Sequence, residues 1–236
     1  MLQAMLIGNP AFTPATIANL ALWFDAADTA TITHVAGAVS QWNDKSGNAR
    51  HATQATGANQ PTTGTRTVNG RNVLDFDGTN DYLVTAAFTA LTQPLTIFLV
   101  MKLDQTAATR GVGQTHVDGI VTTNRAVLYD TINPDLRAYA GVALVDGVPN
   151  TNLNCTVFKP NGASSSIWRN GGTPTTGNAG THTLTGVTIG CRFEFTEFTD
   201  AVYCEYLAYD AALSNTEINA VGNYLANKWG HSWIGV

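Results

Sequence analysis

Charged side chains are scarce in this chain. Lys, Arg, Asp and Glu make up 12% of its 236 residues, about half of the quarter that is usual in soluble domains. The 17 acidic residues outnumber the 12 basic ones, which gives a formal net charge of −5, and the basic residues are scattered. Nucleic-acid binding requires Lys and Arg gathered on one face, so we expect no nucleic-acid partner.

Long apolar runs are also missing. No stretch approaches the roughly 20 residues that are needed to cross a bilayer, so we expect no membrane partner. The opening segment, MLQAMLIGNPAFTP, has no basic region followed by a long apolar one. This pattern argues against a secretory signal peptide.

Cysteine is rare, with Cys155, Cys191 and Cys204 as its only occurrences. An odd number is a poor basis for a disulfide framework. The favoured interpretation is buried thiols in a protein made in a reducing cytoplasm. The alternative is that Cys191 and Cys204 face each other across a hairpin.

Motifs for nucleophilic or zinc catalysis are missing as well. The sequence contains no G-x-S-x-G, no H-E-x-x-H and no C-x-x-C, and its five histidines are isolated from one another. A nucleophile elbow or a local zinc site therefore has no support from the sequence. We expect a protein that is not an enzyme.

Short β-rich segments dominate what is present. Leu95–Leu103, LTIFLVMKL, is a nearly continuous apolar run of strand length that predicts a buried strand. Further short runs follow at intervals of roughly 8–15 residues, each bounded by Gly, Pro, Asn or Asp, and Asn170-Gly171 is a hairpin signal. This spacing is typical of an all-β sandwich or barrel.

One helix is predicted near the C-terminus. Ser214 and Glu217 form the S-x-x-E pattern of a capping box. The residues Ile218, Val221, Leu225 and Trp229 then recur on one helical face. With no internal repeat and no linker, the chain is predicted to be one domain, residues 13–236, preceded by an N-terminal arm, residues 1–12.

These segments together resemble a known family. FDGTNDYLVT, LTIFLVMKL, SIWRNGGTP and the stretch from LTGVTIGCR to YLANKWG are similar to the LamG-like jelly roll of the concanavalin A-like lectin/glucanase superfamily. The opening FTPATIANLALWFDAADTATIT and VSQWNDKSGNARHATQ resemble a subset common in bacterial and phage-encoded proteins. The resemblance implies an antiparallel two-sheet jelly-roll sandwich. It also implies carbohydrate binding on the concave sheet and its rim loops, and Ca²⁺ in the rim loops of several members.

The glucanase branch of this superfamily uses paired carboxylates on one strand. Residues i and i+2 of a strand share a face, and a retaining pair needs carboxyl groups about 5–5.5 Å apart. Glu194 and Glu197 are three residues apart, which would place them on opposite faces of a regular strand. Asp75 and Asp77 have the required spacing, although Asp77 also begins a turn. A glycoside hydrolase is therefore the least favoured hypothesis.

Candidate binding residues follow from the chemistry of sugars and hard cations. Sugar binding needs aromatic rings beside polar hydrogen-bonding groups, and Ca²⁺ needs clustered oxygen ligands. For several aromatics the alternative is core packing, and for the acidic loops it is turn capping. The candidates for glycan contact are Trp42, Tyr129, Tyr139, Trp168 and Asn170, and those for Ca²⁺ are Asp44, Asp77, Asn80 and Asp81.

The leading hypothesis is a phage virion surface protein without enzymatic activity. It would be a head decoration, fibre or tail appendage subunit that adheres to host glycans, and it would bind other virion proteins through residues 1–12. We expect the protein to form a homo-oligomer. We also expect it to be located on the virion after assembly in the host cytoplasm. The alternative is a calcium-assisted carbohydrate-binding module in an extracellular location.

Overall fold

The computed structural model describes residues 12–236, which form a nearly all-antiparallel β structure with a C-terminal helix. None of the helices among these residues is long and apolar enough to span a membrane. The strands are β1 Leu20–Asp25, β2 Ile32–Val35, β3 Ala38–Trp42, β4 Ala52–Thr53, β5 Thr62–Val68, β6 Arg71–Asp77, β7 Leu83–Thr85, β8 Thr96–Leu103, β9 Gln114–Asp118, β10 Val127–Asp130, β11 Leu136–Tyr139, β12 Ala143–Val145, β13 Leu153–Lys159, β14 Ser165–Arg169, β15 Thr175–Gly177, β16 Thr188–Ile189 and β17 Asp200–Tyr209. The helices are α1 Ala107–Arg110 and α2 Asn215–Trp229, with short 3-10 turns at Pro14–Thr16, Thr29–Thr31, Gly57–Asn59 and Gly162–Ser164.

The first layer of strands is built around β17. One edge of β17 pairs with β8, which is followed by β13, β14 and β15. The other edge is shared by two strands, because β6 pairs with residues 200–203 and β1 pairs with residues 205–209. A register shift between Tyr203 and Glu205 marks a β-bulge at this junction.

The second layer runs in the order β12, β11, β10, β9, β16, β7, β4, β3 and β2. Strand β5 pairs with both β3 and β6 and so joins the two layers at one edge. Across the interior, the rings of Phe24 and Trp42 lie 5.3 Å apart. The Tyr203 hydroxyl donates to the His116 carbonyl oxygen at 2.8 Å. The predicted sandwich class is therefore confirmed.

Strand β8 is buried on both faces. Every residue of Thr96–Leu103 is buried except Lys102. The second layer covers one face of this strand, and α2 lies against the outer face of the first layer. Two covered faces explain why the run reads as nearly continuous apolar sequence instead of alternating.

The predicted helix and its cap are confirmed. The Ser214 hydroxyl accepts from the Glu217 backbone N–H, and the Glu217 carboxylate accepts from the Ser214 backbone N–H at 2.8 Å. Gly230 ends the helix in the left-handed conformation with φ of 85°. The four residues of the predicted apolar stripe are all buried.

A buried carboxylate anchors this helix to the first layer. Glu205 of β17 accepts hydrogen bonds from the indole N–H groups of Trp23 and Trp229, each at 2.7 Å. It also pairs with Lys228 at 2.7 Å, and Lys228 pairs in turn with Asp25. The network joins α2 to two adjacent strands and satisfies a fully buried charge.

Three further predictions concern the cysteines, the Asn170-Gly171 turn and the N-terminal arm. All three cysteines are buried free thiols. Asn170 and Gly171 both have positive φ and lie in the connection between β14 and β15. Of the predicted arm, residues 1–12, only Phe12 lies within the described residues, with its ring 6.0 Å from that of Tyr224.

Candidate functional site

Two of the predicted aromatic residues come together on the second layer. Strands β10 and β11 are paired so that Tyr129 lies opposite Arg137 and Val127 lies opposite Tyr139. Leu128 and Ala138 are buried in the core, so the alternation of strand side chains directs Tyr129 and Tyr139 to the outer face. The two tyrosines are diagonal neighbours, a relationship that places residues roughly 7–8 Å apart.

These tyrosines line a cleft of about 300 Å³, which we call the tyrosine cleft. Its floor comes from β9, β10 and β11, and its walls come from the connection between β9 and β10 and the connection between β16 and β17. This volume falls at the lower end of the range for small-molecule sites. The residues lining it are Thr115, Arg125, Val127, Tyr129, Tyr139, Arg192 and Glu197.

Arg125 is held rigidly in one wall of the tyrosine cleft. Its Nε and Nη2 atoms donate to the two oxygens of buried Asp118, each at 2.7 Å. Burial raises the pKa of Asp118, while Arg125 and the backbone N–H groups of Gly119 and Phe193 oppose that rise. The guanidinium carbon also lies 4.7 Å from the ring centre of Phe193 and 5.4 Å from that of Tyr139. Such a planar group, fixed on both sides, needs little ordering to bind a ligand.

Arg192 and Glu197 form another part of the cleft wall. Arg192 Nη1 donates to Glu197 Oε1 at 2.9 Å, and the Thr115 hydroxyl donates to Glu197 Oε2 at 2.9 Å. The Glu197 carbonyl also accepts from the Thr115 backbone N–H at 2.8 Å, which ties the wall to the floor. The wall therefore carries an acceptor and a donor side by side.

The connection that carries this wall has an unusual backbone. Phe195 and Glu197 adopt left-handed conformations with φ of 57° and 53°, which cost about 1–2 kcal/mol each for residues with a Cβ atom. The sequence interpretation placed Glu194 and Glu197 on opposite faces of a regular strand, and this is wrong. Both residues lie in the connection that follows β16, and both carboxylates pair with Arg192. Strain of this kind is concentrated at functional sites.

The other three predicted glycan residues lie elsewhere. Trp42 is completely buried, so its ring has no surface to offer a ligand, and Trp168 is 4% exposed. Asn170 organises its own hairpin, since its side chain accepts from the Cys155 backbone N–H and donates to Asn154 Oδ1. The structure gives Trp42 and Trp168 the packing role that the sequence offered as the alternative.

Asp44, a predicted calcium ligand, caps its own loop. Its carboxylate accepts from the backbone N–H groups of Trp23, Ser46 and Arg50 and from the Ser46 hydroxyl, at 2.8–3.1 Å. Four donors surround the two oxygens. A cation needs lone pairs that these N–H groups already occupy, so this residue does not fit a calcium site.

The second predicted calcium loop is also closed by backbone donors. Asp77 Oδ1 accepts from the N–H groups of Thr79 and Asn80, and Asp81 Oδ2 accepts from the N–H of Asp77. The Asn80 amide donates to the Ala58 carbonyl and to Asn59 Oδ1. Within residues 12–236, no group of three or more His, Cys, Asp or Glu side chains has the arrangement of a metal site.

These acids nevertheless line a cleft of their own. Asp75 and Asp77 share it with Asp81, Asp104 and Asp200, and we call it the acidic cleft. Burial and the charges of Asp77 and Asp75 raise the pKa of Asp81 to about 7. Arg66 partly neutralises this cleft through ion pairs with Asp75 and Asp104.

The walls of the tyrosine cleft were missed at the level of sequence. Arg125, Arg192 and Glu197 come from two connections that are about 65 residues apart and show no common motif. The one local signal is the density of charged and aromatic residues in the segment CRFEFTEF, Cys191–Phe198.

Comparisons with known proteins support the fold. No protein-family model matches this chain, and no curated protein matches it. Among solved structures, the binding domain of Paraclostridial Mosquitocidal Protein 1 aligns over 93% of this chain and 56% of its own, with a TM-score of 0.64 and 11% identity. Domain 4 of AbnA, a GH43 extracellular arabinanase from Geobacillus stearothermophilus in complex with arabinotriose, aligns over 86% of this chain and 98% of its own, with a TM-score of 0.60 and 10% identity.

A sialidase shares the same architecture over part of its length. Trypanosoma rangeli sialidase in complex with sialic acid aligns over 90% of this chain, with a TM-score of 0.61 and 16% identity. This chain covers only 33% of the sialidase. At these identities the three similarities establish an all-β sandwich of the jelly-roll type, consistent with a concanavalin A-like fold.

Proposed function

We propose that this chain is a carbohydrate-binding domain and that its site is the tyrosine cleft. The observation that carries the proposal is the adjacent placement of Tyr129 and Tyr139 on an outward sheet face between fixed hydrogen-bonding groups. A sugar ring has an apolar face that packs on an aromatic ring and a rim of hydroxyl groups that needs polar partners. The tyrosine cleft offers both. The structure of domain 4 of the arabinanase, which has a similar fold, is of a complex with arabinotriose. This complex supports a binding role for the architecture.

Ligand binding by truncation variants tests this proposal. A glycan array identifies a ligand, and calorimetry then compares wild-type protein with Tyr129→Ala and Tyr139→Ala. We expect each variant to raise Kd about tenfold, equivalent to about 1.4 kcal/mol of lost apolar contact. Tyr129→Phe keeps the ring and should stay within about threefold of the wild type, as should Val35→Ala, on an exposed residue outside the cleft. An array without any bound glycan would remove the proposal.

The biological setting stays a prediction. We propose that such a domain acts as a virion surface subunit that adheres to host glycans, with residues 1–12 contacting neighbouring virion proteins. The support is the sequence resemblance to a phage and bacterial subset. Mass spectrometry of purified phage particles and a solution mass would test the location and the self-association, and the calcium-assisted module in an extracellular location stays the alternative.

One observation favours a second candidate function, glycoside hydrolysis at the acidic cleft. A carboxyl group whose pKa is about 7, such as Asp81, beside other carboxylates is the combination used for general acid catalysis. Turnover of a polysaccharide that is lost in Asp75→Asn and Asp81→Asn would support this candidate. Turnover that survives both changes would place the chemistry elsewhere.

A further inference from the structure

We infer that the tyrosine cleft selects a neutral glycan by two adjacent hydroxyl groups, which the Arg192–Glu197 pair recognises, and that it rejects sugars carrying a carboxylate. The inference rests on the proposed function, because it assigns a ligand class to the same cleft. Its basis is the balance of charge around the cleft and the hydrogen-bonding capacity that the walls leave free.

The charges around the cleft leave no cation for an anionic ligand. The guanidinium of Arg125 is matched by fully buried Asp118, and that of Arg192 is matched by both Glu194 and Glu197. Each guanidinium group therefore already has at least one carboxylate partner. His182, whose ring lies 5.7 Å from that of Tyr139, adds no positive charge at neutral pH, because burial and Arg125 lower its pKa.

An incoming carboxylate would therefore meet the Glu197 carboxylate without an unpaired guanidinium group to attract it. Glu197 is the one carboxylate among the residues that line the cleft, and its side chain is about one third exposed. Like charges at short range in a partly desolvated site repel each other strongly. The positive charge of Arg192 is already paired with Glu197, so it offsets only part of this repulsion.

The same groups suit the hydroxyl groups of a neutral sugar. Glu197 uses one lone pair of each oxygen, for Arg192 and for Thr115, so each oxygen can accept a further bond. Arg192 Nη2 and Arg125 Nη1 have no hydrogen-bond partner among residues 12–236. A Glu197 oxygen can therefore accept from one sugar hydroxyl while a neighbouring guanidinium N–H donates to the adjacent hydroxyl.

Paired ligands of equal length provide the first test. For each neutral oligosaccharide that binds, the uronate oligomer with the same stereochemistry is titrated by calorimetry. We expect the uronate to bind at least about tenfold more weakly, and Kd of the neutral ligand to change less than about twofold between roughly 50 and 500 mM NaCl. A uronate that binds as tightly as its neutral counterpart, with affinity that falls as salt rises, would overturn the inference and leave the proposed function standing.

A charge-removing variant provides the second test. Glu197→Gln keeps the shape but removes the negative charge, so we expect neutral ligands to bind about tenfold more weakly and the discrimination against uronates to fall below about threefold. Glu194→Gln is the matched control, since Glu194 also pairs with Arg192 but does not line the cleft. In Glu194→Gln, the Kd of the neutral ligand and the Kd of the uronate should each change by less than about twofold. Unchanged discrimination in Glu197→Gln would count against the inference.

A further variant tests the inference if Glu197→Gln does not fold. Arg192→Lys keeps the positive charge and loses the planar guanidinium group. We expect it to bind neutral ligands about tenfold more weakly, while its melting temperature stays near that of the wild type. Unaltered affinity in Arg192→Lys would contradict the inferred hydroxyl contact. Absence of binding to every neutral and acidic ligand would remove the inference together with the proposed function.

Discussion

At the scale of single residues, Glu205 is a buried carboxylate whose charge depends on its partners. It is fully buried, and burial raises its pKa, an effect that the nearby Asp25 charge increases and Lys228 opposes. The two indole N–H donors and the Lys228 ammonium are what make a charge tolerable there. Breaking such a pair by removing one partner costs more than the pair itself contributes.

We expect Lys228→Met to lower the free energy of unfolding by about 3 kcal/mol, because it leaves Glu205 and Asp25 without their shared cation. Urea denaturation at neutral pH measures the change. Lys102→Met is the matched control, on a lysine that has no ion pair within residues 12–236, and it should cost less than about 1 kcal/mol. Equal losses in both variants would show that the network does not stabilise the fold.

Asp81 provides a pH-dependence prediction. A carboxyl group whose pKa is near 7 when folded and 3.8 when unfolded binds its proton more tightly in the folded state. The free energy of unfolding therefore falls as pH rises from about 4 to about 7. Asp81→Asn removes this penalty, so it should stabilise the protein by about 1 kcal/mol at pH 8.

Thermal melts of wild-type protein and Asp81→Asn across this pH range measure the difference. The two curves should converge towards pH 4, where the folded wild type is already protonated at this position. Asp210→Asn, on an exposed carboxylate, is the control and should leave the pH profile unchanged. A constant offset between wild type and Asp81→Asn at every pH would contradict the prediction.

At the scale of elements, the two outer faces of the sandwich differ, because one is covered by a helix and the other carries a cleft. The first layer is covered by α2, which seals the face of β8 and β17 and is pinned by Glu205. The outer face of the second layer carries the tyrosine cleft, with two connections rising beside it. The proposed binding site can therefore vary through its connections without altering the helix-covered face.

The capping box of α2 leads to a prediction for this element. Ser214→Ala removes the hydroxyl that accepts from the Glu217 backbone N–H, so we expect a loss of about 1 kcal/mol. Urea denaturation followed by circular dichroism measures it. Ser232→Ala, on an exposed serine outside the helix, should have no measurable effect. Glycan affinity should be unaltered in both variants, because α2 lies on the opposite face from the cleft.

At the scale of the whole molecule, we expect Ca²⁺ to contribute nothing to stability. Both oxygens of Asp44 and Oδ1 of Asp77 already accept backbone N–H groups, so millimolar Ca²⁺ should leave the melting temperature unchanged relative to an equal concentration of Mg²⁺. A rise of several degrees that is specific to Ca²⁺ and absent in Asp77→Asn would establish the site that the sequence suggested.

The predictable part of the fold was the part with local or periodic signals. The apolar run that became β8 and the cap and stripe of α2 needed only neighbouring residues. The pairing of β17 with both β1 and β6 had no such signal, because each contact joins residues more than 120 positions apart. Among the site residues, Tyr129 and Tyr139 were chosen for their chemistry, and only strand register showed that they adjoin.

The sequence by itself determined the all-β class, the buried strand and the capped helix, since composition, periodicity and capping act over a few residues. The tertiary structure decided which aromatics are exposed, which carboxylates are occupied by backbone donors, and which arginines meet at one cleft. Those outcomes depend on long-range pairing and on the left-handed turns at Phe195 and Glu197. Neither the long-range pairing nor these turns produce a periodic pattern in the sequence.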